Sequence, residues 1–235
     1  MLPTLKFSTT IINIPSSKKK IPFRPFLAGE EKILLMAKES SDNTDIFLAI
    51  KNIVQVCCLE PLFKTDELTI FDLEYVFLKL RAISVDNTCS VTYTDSEDEK
   101  DYSFVIDLNT IEVVFPENVN KVIKITDDVG ITMRYPQASL YQNKEFLKME
   151  KDQLFELIIH CVDSIYEKDQ VFERTTIKNS EMVTFLNSIP IPIFNNIKEF
   201  LSNAPMMSHE LKYTNTLGHE RKIVLRSLDD FFTLR

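Results

Sequence analysis

Histidines, cysteines and paired carboxylates are the residues with which this chain could do chemistry, and their spacing decides which chemistry is open to it. His160 stands beside Cys161, as metal or thiol chemistry would ask. Neighbours on a helix point about 100° apart, however, and no H-E-x-x-H sets a second ligand on the same face. The pattern predicts a surface histidine paired with Glu156 or Asp163 and a core cysteine. His209 and His219 sit at opposite ends of a hairpin region without cysteines at knuckle spacing, so no zinc site is expected. Cys57 and Cys58 read as a helix end that buries one small thiol.

The carboxylates are treated the same way. Asp95 to Asp101 resembles a calcium loop in composition but lacks the central glycine and the closing glutamate at EF-hand spacing. A solvated tip that discourages edge pairing is the expectation. Asp127 with Asp128 and Asp229 with Asp230 are pairs of the kind used in acid–base work. With 35 acidic residues in the chain such pairs arise by chance, and no nucleophile stands near them in sequence. No catalytic residue, cofactor or metal ligand is therefore expected. The three glycines, Gly29, Gly130 and Gly218, cannot build G-x-G-x-x-G or a P-loop, which argues against nucleotide binding.

Composition bounds the rest. The 235 residues suffice for a substantial core. Four scattered cysteines without C-x-x-C spacing fit a reducing cytoplasm. No secretory signal pattern is present, and no apolar run approaches the ~20 residues of a membrane span. The net charge of −8 conceals a basic arm: residues 1–29 carry +5, leaving −13 elsewhere. That acidic body speaks against nucleic acid. The arm is open to three readings: docking on an acidic partner, docking on the protein's own acidic body, or a solvated turn at Ser16 to Lys20.

The element that must organise these residues is Leu68 to Val85. Thr69 and Asp72 form a short capping box. At helical spacing Ile70, Leu73, Val76, Phe77, Leu80 and Ile83 share one face; Phe71, Tyr75, Leu78, Ala82 and Val85 share the opposite one. An ordinary surface helix has a single apolar stripe. This one must be covered twice, by its own fold or by a partner. Phe71, Tyr75 and Leu78 are thus candidate partner-interface residues. Met206, Met207, Phe231 and Phe232 join them, since methionine and aromatic anchors near loops serve protein-binding surfaces, although burial in the core would use them equally well.

Around that helix the pattern predicts an extended arm over residues 1–28, with Leu5, Phe7, Thr9 and Ile11 inward. Helices follow at about 30–38 and 45–59. Cys89, Val91, Tyr93, Tyr102, Phe104 and Ile106 mark a hairpin, and further strands run to Pro136. A helix over about 152–167, an irregular polar stretch over 167–178, and helices ending near Ile189 and Asn203 come next. A hairpin after Glu210 and a terminal turn at Leu228 to Phe232 close the chain. Ser90 to Leu108 aligns with Glu210 to Leu228, Tyr93 falling on Tyr213, as though a helix-then-hairpin unit were used twice. The expected fold is α+β, a helical-bundle core with β-hairpin modules, in two domains over 1–147 and 148–235.

Arg24 to Phe26, Glu30 to Ala37 and above all Leu73 to Val85 resemble the baseplate hub assembly protein family of T-even-like contractile-tailed bacteriophages. Met206 to Glu210, the hairpin after them and Leu228 to Phe232 are similar to that family's closing module. The resemblance implies a non-enzymatic role, as assembly chaperone or hub component. It implies partners among the hub and tail proteins, a homo-oligomer being compatible. The implied location is the host cytoplasm during assembly, or the virion tail. Some relatives carry a C-x-x-C knuckle at these hairpin tips; Asp95 to Asp98 and Asn215 to Gly218 stand there in this chain, and no zinc is carried over. The alternative reading is a tail-associated hydrolase using acidic residues, which a carboxylate pair of raised pKa in a cleft would support.

Overall fold

The structure, a computed structural model, describes residues 6–40, 42–117, 119–143, 146 and 153–232. It is an α+β protein with small antiparallel sheets. Its contacts group the chain into two compact units, 1–114 with 206–235, and 115–205. The sequence expectation of a boundary at 147 differs from this grouping because the chain returns at Met206 to pair with Val114, and Met207 with Val113, of the first unit.

In the first unit, β1 (Thr10–Asn13) and β2 (Lys20–Phe23) form an antiparallel hairpin with Ile12 opposite Ile21. Ile12 and Ile14 are buried, whereas Phe7 and Ile11, expected inward, are exposed. Leu5 lies outside the described residues. The strand is displaced by one residue from the expected face, and a one-residue displacement exchanges the two faces. What sets it is the turn beyond: the Ser16 amide and hydroxyl donate to the Asp72 carboxylate at 2.9 and 2.5 Å.

Three helices follow: α1 (Ala28–Glu39), α2 (Asn43–Cys57) and α3 (Ile70–Ser84). Asp42 caps α2 by accepting from the Thr44 amide. The Thr69–Asp72 capping box of α3 is present as read from sequence, the Thr69 hydroxyl donating to Asp72 at 2.6 Å. At the other end of α3, Ser84 accepts from the Phe26 amide. The segment from Ser16 to Phe26 is thereby fixed to both ends of α3. The core lies between α2 and α3, where Ile53, Val54, Leu73, Val76 and Leu80 are wholly inaccessible. α1 contributes no buried residue.

The hairpin β3 (Thr88–Thr94) and β4 (Asp101–Asp107) pairs Cys89 with Ile106, Val91 with Phe104 and Tyr93 with Tyr102, the alternation read from sequence. A 3-10 turn, Leu108–Thr110, leads into β5 (Glu112–Val114). β5 pairs with the start of β10 (Met206–Thr214), which pairs in turn with β11 (Glu220–Leu225).

The second unit holds a four-stranded antiparallel sheet in the order β6 (Val122–Lys124), β7 (Val129–Met133), β8 (Val162–Glu167), β9 (Gln170–Glu173). Helices α4 (Gln153–Cys161), α5 (Asn179–Asn187) and α6 (Ile191–Ser202) pack on it around Ile131, Met133, Ile158, Met182 and Ile197. The helix expected over 152–167 ends at Cys161, and Asp152 is not among the described residues. Val162 to Glu167 is instead a strand, Ile165 lying between Ile131 and Phe172. The tip at Lys168, with φ 52°, turns the supposedly irregular stretch into a hairpin. Gly130 faces the Tyr166 ring at a distance that leaves no room for a Cβ.

Asp72 is fully buried and binds the N-terminal turn and the start of α3 at once. Asp72→Ala should lower stability by about 2–3 kcal/mol, combining a lost cap with unsatisfied buried donors. Urea unfolding at constant m-value checks this, and a change within error removes the carboxylate from that role.

Candidate interaction surfaces

The second face of α3 is covered by the protein itself. Phe71, Tyr75 and Leu78 are 5, 7 and 0 % exposed, because α3 lies against β5, β10 and the Leu108–Thr110 turn. The Tyr75 hydroxyl donates to Glu112 at 3.1 Å. Lys79 closes the 3-10 turn by donating to the carbonyls of Leu108, Asn109 and Ile111 at 3.1, 2.8 and 2.7 Å. Met207 and Phe231 are also buried, Met206 and Phe232 half-buried. Met206 and Met207 sit in a paired strand opposite Val114 and Val113, and Phe232 lies under the Arg81 guanidinium. The isolated chain thus keeps most of these seven residues away from solvent.

The acidic tip is solvated only in part: Ser96, Glu97 and Glu99 to Asp101 are exposed, but Asp95 and Asp98 are drawn inward. Asp95 is fully buried and accepts from the Tyr213 hydroxyl, from the Glu97 amide at 2.7 Å and from Arg221 Nε at 3.0 Å. Asp98 accepts from the Tyr102 hydroxyl at 2.6 Å and from the amide and hydroxyl of Thr216 at 2.9 and 2.8 Å. Glu97 meets Asn215 Nδ2 and His219 Nδ1, each at 2.7 Å. The hairpins aligned in sequence are therefore clasped tip to tip, and His219 is occupied by this clasp. Hydrogen bonds from Tyr102 and Thr216 hold the Asp98 carboxyl well below the usual range, and the Tyr213 hydroxyl lowers that of Asp95. Burial and Asp95 push Tyr213 up to about 12.

The other chemical candidates are structural. Cys161 is buried, its thiol pushed up to about 12, and burial raises Cys57 to about 11, so both stay protonated and unreactive. His160, expected on a wet stripe, is half-buried with its ring edge-on to Phe146, and burial lowers its pKa. Among the described residues no group of three His, Cys, Asp or Glu is placed to hold a metal ion, and no helix is long and apolar enough to cross a membrane.

Two features point outward. α1 is anchored at its start by Glu30, which pairs with Arg24 at 2.8 Å and accepts from the Leu27 amide, yet Ile33, Leu35 and Met36 along it are 41, 55 and 60 % exposed. Leu62, at 88 %, is the most exposed large apolar side chain among the described residues. Exposed apolar side chains on a helix that buries none make α1 a candidate contact surface. The second feature is Glu74, half-buried on α3, whose carboxyl is pushed up to about 7 by burial and then by Asp229 and Asp230 on the short C-terminal helix α7 (Leu228–Phe232). Neither α1 nor Glu74 is singled out by spacing alone. In sequence Glu74 reads, with Arg81, as part of a thin polar stripe between the two apolar faces of α3.

The family model for the T4 bacteriophage base plate protein matches residues 6–233, nearly the whole chain. The protein belongs to that family and is a bacteriophage baseplate protein. No curated protein and no solved structure matches the chain significantly.

Two measurements follow from this geometry. Glu99 and Gly218 occupy corresponding places in the two tips, with φ 56° and 84°. Glu99→Gly should stabilise the protein by about 1 kcal/mol and Gly218→Ala destabilise it by a similar amount, read as opposite shifts in the urea midpoint. Glu74, raised in the folded state, binds a proton there that the unfolded chain releases. Stability should therefore fall as pH rises from about 4.5 to about 7, by at most about 3 kcal/mol. Glu74→Gln should flatten that portion of the pH–stability curve.

Proposed function

We propose that this baseplate protein is a hub assembly factor that works by protein–protein contact and catalyses no reaction. The observation that supports this reading is α1: a helix that packs on α2 yet has no buried residue and presents Ile33, Leu35 and Met36 to solvent. A chain that belongs to a baseplate family has use for such a face in docking other tail proteins. Phe71, Tyr75, Leu78, Met207 and Phe231 act in this reading as the packed body behind the contact surface, with Met206 and Phe232 at its margins. The acidic charge outside the N-terminal arm favours protein over nucleic acid as partner. Assembly takes place in the infected cell's cytoplasm, and the protein then leaves as a chaperone or remains as a hub subunit.

The hydrolase alternative draws on a single observation, the raised carboxyl of Glu74 beside Asp229. The pocket it faces has a volume of about 150 Å³, below the roughly 300–1,000 Å³ of typical ligand sites.

Co-expression with the hub proteins of the tail, followed by purification, tests the assembly reading. The parent chain should co-purify with one of them. Leu35→Glu with Met36→Glu should weaken that complex roughly tenfold or more without lowering the Tm. Mass spectrometry of finished tails then separates the versions: presence sinks the transient chaperone, and absence sinks the hub subunit. A parent chain that binds no hub protein sinks both.

A further inference from the structure

We propose that the pocket between α2, α3 and α7 is a socket for an arginine side chain of a partner protein, with Glu74 and Asp229 as its counter-charges. The inference rests on the reading of this protein as one that acts by protein contact, and it names the chemistry of one such contact.

Three observations converge. First, the pocket is a cavity of about 150 Å³ whose walls include Ile46, Phe47 and Ile50 of α2 and Leu73 of α3. Glu74 and Asp229 also line it. A chamber of that size accepts one side chain rather than a substrate. Secondly, Glu74 is half-buried, and neither it nor Asp229 has a hydrogen-bond or ion-pair partner among the described residues. Carboxylates in partly apolar surroundings are ordinarily paired, and here the neighbours of Glu74 are further acids. Thirdly, the apolar walls suit a long aliphatic stem that ends in a charge. Arginine meets all three requirements: it pairs with carboxylates in a bidentate manner and tolerates desolvation better than an ammonium. A divalent cation meets them less well, since it requires several oxygen ligands, and among the described residues no group of three potential ligands converges.

The test uses the full chain, isotope-labelled, and ethylguanidinium chloride as the probe, with sodium chloride at matched ionic strength as control. Saturable shifts of the Glu74 carboxyl and of Phe47 are expected with ethylguanidinium alone. Glu74→Gln should abolish saturation and Asp229→Asn weaken it. Glu74→Gln should also retain or raise the Tm, because the replaced group is repelled by its neighbours, so loss of folding does not confound the result. In the complex with whichever hub protein co-purifies, Glu74→Gln should lose affinity by roughly tenfold or more, and the lost affinity should be matched by replacing one arginine of that partner. Linear, non-saturating shifts, or saturation that survives Glu74→Gln, overturn the socket. An unchanged hub affinity in Glu74→Gln overturns the partner arginine while leaving the assembly reading standing. If the parent chain binds no hub protein, the assembly reading and the partner arginine fail together, and the titration decides the cation socket by itself.

Discussion

Burial of α3 on both of its apolar sides is the constraint on which the first unit depends. Leu73, Val76 and Leu80 on one side are met by α2, and Phe71, Tyr75 and Leu78 on the other by β5, β10 and the Leu108–Thr110 turn. Each fully buried side chain of this size is worth about 1.5–3 kcal/mol, so leaving either face open would cost an amount comparable with the net stability of a typical domain. The polar groups on the helix are placed where that burial requires them. Asp72 satisfies the helix start and the N-terminal turn together, and Lys79 donates to the carbonyls of Leu108, Asn109 and Ile111.

A second organising device is the pairing of the hairpin tips. Tyr213 packs its ring on Tyr102 and Phe104, 4.5 and 5.6 Å between centroids, while its hydroxyl binds Asp95. One residue thus joins the apolar face of the first hairpin to the polar interior of its turn. The chain uses carboxylate, amide, hydroxyl and guanidinium groups to hold two turns together. With four or more partners mutually satisfied, such a lattice is more sensitive to loss of a single member than an exposed ion pair would be.

What the sequence made legible was local. The Thr69–Asp72 box, the inward residues of β3 and β4 and the proline-marked start of α6 follow from chemistry within a few positions. The strand at Val162 to Glu167 did not, because its apolar residues sit at intervals shared by helix and strand, and only pairing with β7 and β9 decides between them. The clasp was hidden for another reason: Asp95 and Tyr213 are 118 residues apart, so an acidic run that reads as solvated finds its donors across the fold. The repeat was visible as a pair of similar hairpins, but nothing in it stated that the two would bind one another. At the candidate sites, an apolar triplet on α1 and a lone carboxylate on α3 look ordinary in sequence, and their exposure or burial is a property of neighbours that arrive from elsewhere.

The first unit is discontinuous, and this has a consequence for synthesis. Residues 1–114 leave the ribosome long before 206–235, and until those last residues arrive, Phe71, Tyr75 and Leu78 have no β10 above them. A nascent or truncated chain would have that side of α3 covered only by β5 and the Leu108–Thr110 turn, and so be more prone to aggregation or to holdase chaperones. Arrival of β10 is therefore what finishes covering that side. The covering of that side is thus completed in the order in which the chain is made.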